Sequence, residues 1–158
     1  FAIKNDGTLW VWGANTQGVN GRSEPTATQY NSPVQVGSLT TWLKGTSSYG
    51  TAAFIKTDGS LWTWGRGNNY STGHGDTTNR SSPVQVGSET WSEVTLGIQT
   101  MGAIRYDGTL WTCGSNSSGA TGQNVGSGFT TTLTQVGAEN TWLSLAVGGY
   151  QRMIALKK

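Results

Sequence analysis

Charged side chains are scarce here, at 11% of 158 residues with a net charge of +2, against about a quarter in an ordinary soluble domain. No run of Lys or Arg occurs, so the electrostatic footprint of a nucleic-acid binder is missing and nucleic acid is not expected as a partner. A single cysteine, Cys113, excludes an internal disulfide and a cysteine-rich metal site. A single histidine, His74, has no partner set for catalysis or for a metal. No apolar stretch nears the roughly 20 residues of a membrane span. Paired carboxylates at equivalent positions are absent, and no glycine loop continues into Gly-Lys-Ser/Thr. The expectation is a non-enzymatic protein with no cofactor and no metal.

What is present is glycine, 24 residues of it, and eight tryptophans. The tryptophans recur in phrase: "IKNDGTLWVWG" from Ile3, "IKTDGSLWTWG" from Ile55 and "IRYDGTLWTCG" from Ile104. "SPVQVG" at Ser32 and Ser82, answered by "LTQVG" at Leu133, and a leading Trp at Trp42, Trp91 and Trp142 keep the same period. A period of about 50 residues points to a propeller, a solenoid or an array.

Asp6-Gly7, Asp58-Gly59 and Asp107-Gly108 are hairpin turns, because Asp-Gly between alternating residues is a strong hairpin signal. Each unit yields four strands: the Trp-led run, the run into the turn, the run out of it and the Pro-led run. Along the run out of the turn, Trp10 and Trp12 face one side and Leu9 and Val11 the other. Neither side is polar, so each sheet needs a cover on both faces, as in blades packed radially. Trp62, Trp64 and Trp111 repeat this structural role, and Cys113 replaces the second Trp as a small hydrophobe between blades. Pro33 and Pro83 are placed at the start of the last strand, on an edge that tolerates a missing N–H.

This frame of "DGTLWVWG", glycine loop, "SPVQVG" and Trp-led strand resembles the repeat of the regulator of chromosome condensation family over nearly the whole chain. The resemblance implies an all-β, seven-bladed β-propeller of four-stranded blades, of which about three repeats stand here as a partial propeller. The units run approximately 3–54, 55–103 and 104–155, with 156–158 starting a further unit. The family's Gly-Gln-Leu-Gly loop is altered to Gly18-Val19-Asn20-Gly21, Ser71-Thr72-Gly73 and Gly119-Ala120-Thr121-Gly122.

Two sets of residues are candidates for contact. Lys4, Lys56, Arg105 and Lys157 recur beside the turns and would form a basic arc on one rim for an acidic partner; the plain alternative is a solvated strand end. The variable loops hold Arg22, Tyr30, Arg66, Tyr70, Arg80 and Phe129, and Tyr and Arg are enriched at interfaces. The uniform blades look like those of phage virion and bacterial secreted proteins. The main expectation is therefore a structural or binding propeller, virion or extracellular, presenting rim loops to virion proteins, further copies or blades, or a host-surface glycan or receptor. A guanine-nucleotide exchange regulator of a small GTPase and a secreted enzyme inhibitor are the alternatives. The chain stops within a hairpin at either side, which leads us to expect a longer protein or docking on other copies.

Overall fold

A computed structural model describes residues 1–24, 28–148 and 152–158. Twelve strands dominate: β1 (Ala2–Ile3), β2 (Leu9–Ala14), β3 (Gln29–Gln35), β4 (Trp42–Ser48), β5 (Thr51–Lys56), β6 (Ser60–Gly65), β7 (Arg80–Leu96), β8 (Thr100–Arg105), β9 (Leu110–Ser115), β10 (Phe129–Gln135), β11 (Trp142–Val147) and β12 (Met153–Lys157). Every pairing is antiparallel. Two inner blades have four strands each, β4-β5-β6 with the first half of β7, and the second half of β7 with β8-β9-β10. They share β7, whose 17 residues pass from one blade into the next. The flanking sheets are β1-β2-β3 and β11-β12. This is the partial all-β propeller that the repeat period predicts. No helix among the described residues is long and apolar enough to cross a membrane.

The two-faced sheets of the inner blades are covered as expected. Along β5 the side chains alternate between two cores: Ala52 and Phe54 join Leu9, Val11, Val36, Trp42 and Trp64, while Ala53 and Ile55 join Leu61, Trp91, Leu96, Met101 and Cys113. All six residues of β5 are buried. A strand with alternation of period two can serve two cores only if a sheet lies against each of its faces.

The phrase that recurs in sequence is a set of interlocks. In the first turn, Asp6 Oδ1 accepts hydrogen bonds from the Thr8 amide at 3.0 Å and the Thr8 hydroxyl at 2.6 Å, and Thr8 Oγ1 accepts from Trp10 Nε1 at 2.8 Å. Asp58–Ser60–Trp62 and Asp107–Thr109–Trp111 repeat the chain of bonds. These bonds hold the three carboxyls below their ordinary pKa, the side-chain hydroxyl contributing most. The turn glycines have φ of 78°, 82° and 82°. Their carbonyls accept the amide of the next blade's leading Trp: Gly7 from Trp42 at 3.1 Å, Gly59 from Trp91 at 2.8 Å and Gly108 from Trp142 at 3.1 Å. A Cβ at Gly7 or Gly108 would strike the carbonyl oxygen of Thr40 or Asn140 in the passing linker.

At the opposite end of the blades the glycine loops fold onto the following blade. Trp64, fully buried, donates from Nε1 to the Val19 carbonyl at 2.7 Å and stacks on Phe54 at 5.1 Å. Gly21 lies so near that a Cβ would sit 2.7 Å from the same indole nitrogen. At the next junction Gly73 approaches Met101 and Cys113 instead. The loop that departs from Gly-Gln-Leu-Gly thus packs by close backbone approach, with Asn20 buried at the leucine's position and Val19 partly buried beside it.

One placement differs from the sequence expectation. Pro33 and Pro83 lie inside β3 and β7, not at their starts. The register shifts between Val11 and Gly13 and between Thr63 and Gly65, so each proline sits opposite an irregularity where no ladder N–H is required.

Replacing Gly108 by Ala should cost the roughly 1–2 kcal/mol of a left-handed non-glycine residue and a further amount for the collision with Asn140. Gly37→Ala, at φ 59° with no neighbour within 4 Å, should cost only the first part; urea unfolding of both variants checks the difference. Burial pushes the Cys113 thiol up to about 12, so a disulfide-exchange reagent should label it only on unfolding.

Candidate functional site

The two ends of the blades carry different chemistry. At the turn end, the four recurrent basic residues lie over indoles. Lys4 Nζ is 3.8 Å from the Trp10 ring centre, and Lys56 Nζ is 3.5 Å from Trp62 and 5.1 Å from Trp42. The Arg105 guanidinium is 3.8 Å from Trp111 and 5.4 Å from Trp91, and Lys157 Nζ is 4.8 Å from Trp142. In the inner blades the cation therefore touches two indoles, and in the outer sheets one. Such contacts contribute about 0.5–2 kcal/mol each, depending on desolvation. Lys56 is buried, which lowers its pKa. Arg105 also pairs with Glu89 at 3.3 Å and Lys157 with Glu139, whereas Leu39 occupies the matching position before Lys56.

At the loop end, the six candidate contact residues fall into clusters. Arg22 Nε donates to Glu24 Oε1 at 3.1 Å and to the Tyr30 hydroxyl at 3.2 Å, the Tyr30 hydroxyl donates to Glu24, and Arg22 Nη1 donates to the Gln35 carbonyl. Arg80 grips Asp76 with two nitrogens at 3.0 and 2.8 Å, which holds that carboxyl far below its ordinary value. Tyr70 meets Phe129 of the next blade, ring centres 5.5 Å apart. The Arg66 guanidinium lies 5.0 Å from the Tyr49 ring, and these two with Thr16, Gln17 and Gly50 line an open groove of about 560 Å³. Tyr49, exposed and at φ 45°, escaped the sequence reading because it stands in the short turn between β4 and β5 rather than in a long loop. Glu24 and Asp76 were equally illegible as partners, since their roles depend on how the loops fold back.

Among the described residues no three His, Cys, Asp or Glu side chains come together as a metal site. His74 is a tie between strands. The Thr63 hydroxyl donates to the Thr72 carbonyl at 2.7 Å, so at 3.0 Å it accepts from His74 Nε2–H. Gln123 makes the equivalent bond to Thr112 Oγ1 at 3.0 Å, and Thr112 donates to Thr121. Burial first, then Arg80, lowers the His74 pKa from its ordinary 6.5, against a smaller raising effect of Asp76.

A depressed histidine binds fewer protons when folded than when unfolded. Its stabilising contribution is therefore complete above the ordinary value and declines as pH falls below it. Unfolding measured at about pH 5 and about pH 8 should show this loss in the native chain, and His74→Gln, which copies Gln123, should remove it.

Residues 58–103 match the family model of the Regulator of chromosome condensation (RCC1) repeat. A comparison with curated proteins found no match. Among solved structures, Prp20p from Saccharomyces cerevisiae, described with its binding to Gsp1p and histones, is similar with a TM-score of 0.83 and 18% identity over 98% of this chain and 40% of that one. Yeast RCC1 (Prp20) with Kap60 bound gives 0.81 and 18% over 98% and 38%, and human WBSCR16 gives 0.79 and 18% over 99% and 42%. The chain spans about two fifths of the length of the structures it matches. They are yeast and human proteins, one described with histones, and so the expectation of a virion or extracellular location is corrected. Uniform blades reflect a packing problem repeated at each junction and carry no information about location. The chain carries an RCC1 repeat, and its fold is that of the RCC1-type β-propellers.

Proposed function

We propose that this chain is part of a non-enzymatic β-propeller that binds proteins, with a small GTPase as the partner and regulation of its nucleotide exchange as the activity. The observation that carries the reading is the match of nearly the whole chain to the fold of Prp20p, a protein described with binding to Gsp1p and histones. The blades are the rigid part and the loop end is the recognition surface. Its anchors are the Arg66–Tyr49 pair over the open groove and Phe129 beside Tyr70, since partly exposed aromatic and arginine side chains on rigid supports lose little entropy on binding. Exchange needs no catalytic side chain: a surface that binds the nucleotide-free GTPase more tightly than the nucleotide-bound form weakens nucleotide binding by the same factor.

Release of a fluorescent guanine nucleotide from a panel of small GTPases, with the chain added in excess, tests this. One member should release nucleotide faster, and Arg66→Ala with Tyr49→Ala should weaken its binding by about tenfold or more, as loss of a hot spot does. Absence of both binding and release across the panel overturns the GTPase reading. Binding of another protein through the same residues would return the chain to the broader class of display propellers.

A further inference from the structure

We propose that the pocket between the two inner blades is a binding site for an uncharged primary amide carried on an alkyl group. Both blades around it are complete, with four strands each. Its volume is about 340 Å³, at the lower end of the range in which proteins hold small ligands. The linker here is the short one: three residues separate Gly87 from Trp91, where four separate Gly37 from Trp42 and Gly137 from Trp142. It runs straight through as part of β7, and Val86, Gly87 and Glu89 form one wall of the pocket. Trp91, Trp111 and Leu133 supply the other apolar surfaces, and His74 and Arg105 bring polar groups.

A cation–π contact uses the face of a guanidinium and leaves its edge free to donate. Arg105 lies over Trp111 and Trp91, and its Nη2 meets Glu89 at 3.3 Å. The Arg105 Nε–H is buried and has no acceptor among the described residues. Nor has the Nε1–H of Trp91, a side chain only 2% exposed. A buried donor without an acceptor is destabilising, so a ligand oxygen that reaches both is held with a net gain. Acceptors remain as well. His74 donates through Nε2–H to Thr63 and keeps a lone pair on Nδ1, and the half-exposed Glu89 carboxylate has a second oxygen. Two donors and two acceptors are the complement of one primary amide, whose oxygen accepts twice and whose nitrogen donates twice. Charge selects the amide over a carboxylate of the same shape: Arg105 and Glu89 offset each other, so an added carboxylate would face Glu89 without a cation of its own. The ligand's alkyl group lies against Val86, Leu133 and the Trp111 ring. Trp42 and Trp142 also leave Nε1–H without an acceptor, but they stand beside Lys56 and Lys157, whose ammonium has no planar edge. The open indole belongs to the repeat, and the amide-shaped set of partners to this pocket.

The test follows the indole N–H resonances of the isotope-labelled 158-residue chain as isovaleramide is added. The Trp91 resonance should move downfield as its proton gains an acceptor, saturating with a Kd of about 1 mM, within reach of a ligand with so few atoms, while that of Trp42 stays in place. Isovalerate, the same skeleton ending in a carboxylate, should bind about tenfold more weakly, and Glu89→Gln should remove most of that difference. Arg105→Lys copies Lys56, keeps a cation over the indoles and should weaken amide binding about tenfold. N-acetylglutamine methylamide separates two sources of the same chemistry: tighter binding than isovaleramide assigns the amide to a partner's glutamine side chain, and weaker binding to a free small molecule. A Trp91 resonance unmoved at about 100 mM isovaleramide overturns the proposal. So does equal movement of Trp42, which would mean indiscriminate contact, or isovalerate binding as tightly as the amide, which would make this an anion site.

Discussion

The carbonyl of the turn glycine, accepting the amide of the next blade's leading tryptophan, is the constraint on which the architecture rests. It forces the linker between blades to run directly across the hairpin, leaving no room for a side chain at that glycine in the first and third turns. Everything else in the phrase follows from keeping that hairpin in place. The aspartate fixes the turn through two hydrogen bonds, the hydroxyl residue relays to the indole, and the indole carries a cation on its face. A polar chain of this kind succeeds at a half-exposed strand end because each donor finds an acceptor without leaving a charge unpaired in the core.

Much of the fold was legible because its cause is periodic. Trp10 and Trp62 announce their strand by alternation, and the leucine before each, on the opposite face, announces that a neighbour covers that side of the sheet too. The bulges at Pro33 and Pro83 were not legible, since a strand's register depends on where its partner's residues fall. Nor was the double indole around Lys56: Trp42 lies in a different strand, and only the folded blade brings it to Trp62. At the loop end the residue types were visible but their combinations were not. Arg22 and Tyr30 looked available for a partner, and the structure spends both on Glu24.

Function divides along the same line. The repeated turn end is committed to holding blades together, so its cations are already engaged by aromatic faces. The loop end varies from unit to unit while resting on the same glycine supports, and such segments can change without disturbing the core. The proposed protein-binding surface lies there, where Arg66 and Tyr49 border an open groove.

Successive blades meet through the same two joints: the turn glycine beneath the passing linker, and the glycine loop over the second Trp or its replacement. A unit copied into the array would meet both joints ready-made. At the Cys113 junction no second indole is present and Gly73 comes close to Met101 and Cys113 instead, while the junction before it keeps Trp64 under its loop.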